Sequence, residues 1–504
     1  MKRKIVFFVM LSCITTMSYA QKNWQNQDLK TDGVFGISTE KAYAELLKGK
    51  KGKEVLVAVI DGGVDTNHVD LKPVLWRQQK KWGWSFLGSP KGNVHYEAQE
   101  LTRIVAAGQK RFPDLNDLPA DTTGLSVYKR QRLAYIRKLQ RAKGMRQNIA
   151  EYRNVMDTIL LNIGSKNPSL EAFKAYVPET SLQSSVKGMA LNGIKKEENA
   201  ISKLRSLLDL DYNHFDNEVN YALNLSYNPR SVVGDDLSDL EQNNYGSADV
   251  MGPDAAHGSH VSGIIGAVRH NGIGIDGVAD NVRILNIRAV PDGDERDKDI
   301  ANAIVYAVNK GAKIINMSFG KPFSPAKSRV DEAVRYAMSK DVLLVHAAGN
   351  ESEDLDADGT YYPNKIYADG KDSAVAWLNV GASGAKDDET LAARFSNFGK
   401  HTVDVFAPGV DIQSTVPNSA YQSMDGTSMA APVVSGLAAL IRSYYPKLTA
   451  VEVKEIIMNS VIKVNHNVKV VKRGEQVLVP FSEICVAGGI VNVYEALKLA
   501  ATYR

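Results

Sequence analysis

The chain has 504 residues, 44% of them hydrophobic and 23% charged, which supplies a sizeable packed core and excludes a globally disordered chain. Its 61 lysines and arginines against 57 aspartates and glutamates leave a net charge of only +4, so the overall field does not select nucleic acid as a partner. With two cysteines, Cys13 and Cys485, the composition also excludes a disulfide-stapled scaffold.

Residues 1–20 read as a signal peptide: Lys2, Arg3 and Lys4 form a basic start, Ile5 to Met17 an apolar stretch, and Ser18-Tyr19-Ala20 a small-x-small cleavage site. The apolar run is too short to span a bilayer, and no later run is long and uncharged enough, so a transmembrane span is not expected. Export follows from this reading, to the periplasm or beyond. Lipoprotein anchoring through Cys13 is the second alternative, and Cys485, in an apolar stretch, reads as a small core residue.

The first strand is Val55 to Ile60, a continuous apolar run that ends at Asp61. Further runs at Arg283 to Ala289, Ala312 to Met317, Val342 to Ala347 and Ala374 to Ala382 alternate with helical patterns at His257 to Arg269, Lys298 to Lys310 and Ser328 to Ser339. Such alternation predicts an α/β fold with a mostly parallel sheet and helices on both faces. Ligands of such sheets bind beyond the carboxyl ends of the strands, where Asp61 lies. Near the end, helices are expected over Ala450 to Ile462 and Asn492 to Thr502, with a short apolar strand between them.

Residues 97–230 differ in texture. Leu133, Ile136, Leu139, Ala142, Met145, Ile149, Tyr152, Met156, Ile159 and Ile163 recur at steps of three and four, which predicts a helix of roughly nine turns interrupted only by Gly144. Pro168 and Pro178 break it, and a second helix carries Ile194, Ile201, Leu204, Leu207 and Leu208. Two such helices imply an inserted all-α helical hairpin lobe, which divides the chain into a leader (1–20), a first part of the α/β domain (21–96), the insertion (97–230) and the remainder (231–504). The first helix is basic, with Lys129, Arg130, Arg132, Arg137, Lys138, Arg141, Lys143, Arg146 and Arg153. A solvated outer face is the ordinary reading, and an anionic partner docking on 129–153 is the sharper one. Nucleic acid is not expected, because no stacking-aromatic motif accompanies the cations.

Three segments carry chemistry. Val59-Ile60-Asp61-Gly62-Gly63-Val64-Asp65 ends the first strand. His257-Gly258-Ser259-His260-Val261-Ser262-Gly263 opens a helix 196 residues later. Gly426-Thr427-Ser428-Met429-Ala430-Ala431-Pro432 is a serine-bearing turn that runs into an apolar helix. A serine hydroxyl attacks a peptide carbonyl only when an imidazole takes its proton and a carboxylate holds that imidazole, so Asp, His and Ser in this set fit a hydrolytic triad. A lipase-type α/β-hydrolase is excluded, since it needs a Gly-x-Ser-x-Gly elbow and the order Ser, Asp, His.

Taken together, the three motifs resemble the subtilisin-like (S8) serine peptidases over about residues 45–75 and 245–500. The resemblance implies a subtilisin-like three-layer α/β fold and a serine endopeptidase with Asp61, His257 and Ser428 as catalytic residues. It also implies Asn350, in Ala347-Ala348-Gly349-Asn350, as an oxyanion donor. Substrate polypeptides would be bound along Ser318-Phe319-Gly320 and Ala348-Gly349. Lys321 follows Gly320 where relatives carry a small residue. No cofactor is required; calcium is a candidate ligand at Asp354, Asp356 and Asp358, a stretch that lacks the closing glutamate of a calcium loop. Gly62 and Ser259 depart from the Ser or Thr and the Thr usual at those places. Some thirty residues between Ala20 and Val55 are too few for a folded propeptide, so the chain folds without one, the insertion performs that duty, or latency is imposed otherwise; the insertion as lid or exosite is the favoured expectation. The competing reading is a catalytically weak scaffold whose basic helix binds a partner.

Overall fold

The computed structural model describes residues 23–193, 200–357 and 361–503. The signal peptide and Cys13, Ile194 and Asp358 therefore lie outside the described residues. The chain divides into two compact units, one formed by residues 101–227, the other by residues 23–100 and 228–503.

The second unit is built on a nine-stranded sheet: β1 Val55–Asp61, β2 Gly83–Ser85, β3 Val282–Arg288, β4 Ile314–Met317, β5 Leu343–Ala347, β6 Trp377–Ser383, β7 Val405–Pro408, β8 Ile462–Lys463 and β9 Gly489–Ile490. Their order across the sheet is β8-β9-β7-β6-β5-β4-β1-β3-β2. All neighbours run parallel except β8 and β9 at one edge. Because side chains alternate across a strand, β1 feeds two cores. Val57 and Val59 enter one with Val261, Ile264 and Leu437 from helices Ala256–Gly266 and Thr427–Tyr444. Ala58 and Ile60 enter the other with Ile300, Ile304 and Ala333 from helices Asp297–Asn309 and Lys327–Ser339. Burial on both faces explains why the strands read as unbroken apolar runs.

Helix ends fall slightly inside the expected ones. The helix opened by His257 stops at Gly266, and the one from Ala450 stops at Asn459, because Ile462 belongs to the edge pair with β9. The last helix, Val493–Ala500, is capped by the Asn492 side chain, which accepts from the Glu495 N–H at 2.9 Å. Cys485 is fully buried.

In the other unit a 39-residue helix, Leu125–Ile163, runs through Gly144 without a break. Its buried positions include Tyr128, Tyr135, Ala142, Ile149 and Met156, one every seven residues. Leu133, expected on the apolar face, is 49% exposed. The narrow sevenfold seam suits a helix covered along one line rather than over a broad stripe. The return limb is not one helix but a short one, Leu170–Ala175, followed by Ser181–Gly193 and Ala200–Asn217, the latter two packed on the long helix. Pro168 and Pro178 stop each piece, and Ser169 caps the short helix that seats Phe173 against Met156 and Ile159. Arg146 and Arg153 pair with Asp216 and Asp209 across this lobe at 3.0 and 2.5 Å.

Buried ions hold the α/β unit where the chain leaves for residues 101–227 and where it returns. Glu97 pairs with Arg296 at 2.8 Å, and Arg230 is clamped by Asp299 and Asp235, each at 2.8 Å. The Tyr245 hydroxyl also donates to Asp299, and Lys298 reaches Asp235. Each charge here is paired and hydrogen-bonded, as burial demands.

Candidate active site

Asp61 closes β1 at its carboxyl end and is 4% exposed. Its Oδ1 accepts from His257 Nδ1 at 2.8 Å and from the Gly62 N–H at 2.7 Å. His257 is the second residue of its helix, and Gly258 lets that helix approach. A Cβ there would overlap the Gly63 carbonyl and lie 3.1 Å from Asp61 Oδ1. Arg288, level with Asp61 on β3, donates from Nε to the Gly62 carbonyl at 2.8 Å and steadies the turn. Desolvation pulls the His257 pKa down, but the Asp61 charge and hydrogen bond, with help from Asp254, outweigh it, so the pKa is raised above that of an ordinary imidazole.

Ser428 is the second residue of helix Thr427–Tyr444 and is half-buried. Its Oγ donates to the Ser318 carbonyl at 3.2 Å. Pro432 sits at the sixth position of the helix, deeper than the first turn, and its missing N–H leaves the Ser428 carbonyl without the usual intrahelical donor. Ser318 Oγ supplies one at 2.9 Å. The serine turn is thereby tied to the end of β4, a link that the Pro432 and Ser318 spacing signals only once both are known to meet.

Asn350 follows β5. Its Oδ1 accepts from the Thr427 N–H at 2.9 Å and from Thr427 Oγ1 at 3.0 Å, while Thr427 Oγ1 accepts from the Gly349 N–H. With the oxygen so engaged, the amide nitrogen is left for the cleft. A point one Cβ out from Gly426 lies 3.5 Å from the Ser428 N–H nitrogen and 3.6 Å from Asn350 Nδ2, so two donors converge beside Ser428 and a side chain at 426 would intrude. The helix N-terminus adds its partial positive charge at the same spot.

Ser318, Phe319 and Ala348 are buried, and Gly320 and Gly349 continue them at the carboxyl edge of β4 and β5. Asn397, not singled out in the sequence, braces the second segment: its Nδ2 donates to the Ala348 carbonyl and to Glu351, and its Oδ1 accepts from the Glu351 and Glu353 N–H groups. Lys321 turns its ammonium away from the cleft, into Glu100 and Asp297 at 2.8 Å each and the Glu295 carbonyl at 2.7 Å. His260 Nε2 donates to the Gln422 carbonyl and His68 Nε2 to the Ala420 carbonyl, each at 3.0 Å, so both hold the hairpin Ile412–Val416 and Ala420–Met424; burial lowers the His260 pKa to about 4.

The acidic stretch is engaged otherwise. Asp354 pairs with Lys472 at 3.3 Å, and Asp356 accepts from the His401 and Thr402 N–H groups. Among the described residues no cluster of three metal-ligating side chains forms.

The chain is similar in sequence to known serine proteinases. The chain is 41% identical over 206 residues to the "Thermophilic serine proteinase" of Bacillus sp. strain AK1, covering 41% of this chain and 46% of that one. It is 36% identical over 205 residues to subtilisin BL of Lederbergia lenta, covering 40% and 69% respectively. The match thus spans about half the length of the first relative. A solved protease structure from Pseudoalteromonas arctica PAMC 21717 aligns over 93% of this chain and 96% of that one, at 19% identity and a TM-score of 0.48. The model of the subtilase family, Peptidase S8, matches residues 52–478, and the chain belongs to that family.

Proposed function

We propose that this subtilase is an exported serine endopeptidase that hydrolyses polypeptides through an acyl-enzyme, with Ser428, His257 and Asp61 as its triad. The observations that carry the reading are the convergence of Ser428 N and Asn350 Nδ2 on one point beside the serine, and the hydrogen-bonded Asp61–His257 pair.

Ser428 Oγ attacks the scissile carbonyl as His257 takes the hydroxyl proton, and the carbonyl oxygen gains the negative charge that the two donors are aimed to hold. Collapse of this intermediate breaks the C–N bond. The proton on His257 passes to the leaving amine, and an acyl-serine remains. Water then repeats the sequence: His257 takes its proton, the hydroxyl adds to the ester, and Ser428 leaves with the proton returned. Asp61, accepting from Nδ1, keeps Nε2 free to act as base and stabilises the imidazolium between steps. Each step is supplied by a side chain or backbone group of the chain. Extended substrate would pair with the backbone of 318–320 and 348–349.

Fluorophosphonate labelling of the purified protein beside Ser428→Ala, with casein hydrolysis in parallel, tests the reading. Labelling and hydrolysis that both vanish in the variant are expected. A folded wild type that takes no label overturns it and leaves the scaffold reading, in which the helix 129–153 docks an anionic partner. That helix keeps seven exposed cations, Lys129 to Lys143, outside the pairs made by Arg146 and Arg153.

A further inference from the structure

Tyr361 lies against both candidate substrate segments. The candidate substrate segments leave neighbouring parallel strands, β4 and β5, and each carries a glycine at the point where they part, Gly320 and Gly349. A Cβ built on Gly320 would lie 2.5 Å from Tyr361 Cζ, and one built on Gly349 would lie 3.0 Å from the same atom. One phenol ring therefore rests against both backbones, on the side to which both Cβ vectors point. That fills the space between the segments instead of leaving a slot.

The ring is also fixed there. Tyr362, its neighbour, pairs with Lys321 through two backbone hydrogen bonds of 2.9 Å, N–H to carbonyl in each direction. The buried Lys321 ammonium anchors that pair to Asp297 and Glu100. Behind Tyr361 lies the cluster around Leu355 and Phe398, and its ring centroid is 5.8 Å from that of His346. Glu351, held by Asn397, borders Gly349 on the same side. Leaving this position would strip the ring of packing on several faces, so it does not swing aside for a ligand at small cost.

We propose that Tyr361 closes the first specificity pocket, so that the enzyme cleaves after glycine, alanine or serine and rejects aromatic and long aliphatic residues at that position. The inference rests on the endopeptidase reading and narrows its substrate class. Rejection is steric: a phenylalanine side chain has no volume to occupy, whereas a methyl group needs none beyond the glycine edges.

The test uses succinyl-Ala-Ala-Pro-Xaa p-nitroanilides with Xaa alanine or phenylalanine, read as the ratio of kcat/KM. Wild type is expected to favour alanine by about tenfold or more, and Tyr361→Ala to move the ratio toward phenylalanine by about 10²-fold, the range that differential pocket filling supports. Tyr361→Phe keeps the ring and should keep the alanine preference. A wild type that prefers phenylalanine overturns the proposal whatever the variants do. So does a fluorophosphonate-labelled Tyr361→Ala with an unmoved ratio. Absence of label in folded wild type instead sinks the peptidase reading, and this inference with it.

Discussion

The cleft at the carboxyl edge of the sheet and the long helix Leu125–Ile163 obey different rules. Around Asp61, His257 and Ser428 single atoms are specified: Gly258 because a Cβ would strike Gly63, Thr427 because it turns Asn350, Ser318 because Pro432 frees a carbonyl. Along the helix a period is specified, one buried residue in seven from Tyr128 to Met156, and exposed cations occupy many of the positions between them. Chemistry constrains position; packing constrains pattern. Substitutions should therefore cost orders of magnitude in rate at the first region and a few kcal/mol at most in the second.

The largest effect belongs to Ser428→Ala, expected to lower kcat/KM by about 10⁴-fold or more while leaving the melting temperature nearly unchanged, since a triad acts as a unit. Against it, Leu133→Ala in the long helix removes an exposed side chain and should stay within about 0.5 kcal/mol by urea titration. Equal losses of activity in the two variants would erase the distinction.

Asn350→Ala comes next. Removing one oxyanion donor costs about 10²–10³ in kcat, a magnitude established in subtilisin, with KM little altered because the donor acts mainly in the transition state. A change confined to KM would mean that Asn350 binds ground-state substrate and that the convergence beside Ser428 has another purpose.

Met156→Ala probes the other region. Met156 is fully buried among Ile159, Phe173 and Val186, so truncation should cost about 2–5 kcal/mol locally. Hydrogen exchange should quicken over 125–217 while fluorophosphonate labelling of Ser428 keeps its rate. Loss of labelling would show that the active site depends on the stability of the helical unit.

How far each region was legible follows from the same contrast. The three motifs around Asp61, His257 and Ser428 stand out because their residues form short fixed strings, and the strands because burial on both faces leaves continuous apolar runs. Contacts that join segments far apart in the chain left no such trace. Ser318 and Pro432, Asn397 and Ala348, Tyr361 and the two glycines are ordinary residues until folding brings them together. The Lys321 ammonium could not be placed from its position beside Gly320; its charge is spent on Glu100 and Asp297. In the lobe, periodicity found the long helix but overstated its apolar face at Leu133, since steps of three and four describe a stripe wider than the seam in use.

The smallest effect tests how finely the cleft is specified. His257 must be neutral to accept the Ser428 proton, and the Asp61 charge raises its pKa above that of an ordinary imidazole, so kcat/KM should fall as pH drops, along an acid limb set higher than a free imidazole would give. Asp61 Oδ2 is buried and has no hydrogen-bond partner among the described residues, while its Oδ1 takes both His257 and the Gly62 N–H. A hydroxyl at position 62 would give Oδ2 a donor, draw charge from the carboxylate and weaken its hold on the imidazolium. Gly62→Ser is sterically close to allowed, its Cβ lying 3.2 Å from the Val290 carbonyl. The expected result is an acid limb shifted downward by a few tenths of a pH unit, with activity kept to lower pH, read from kcat/KM profiles of the two proteins. An upward shift would mean that strain against Val290 loosens the Asp61–His257 bond more than the new donor stabilises it. In that case glycine at 62 is required by the backbone, and the unpartnered oxygen is the cost of that turn.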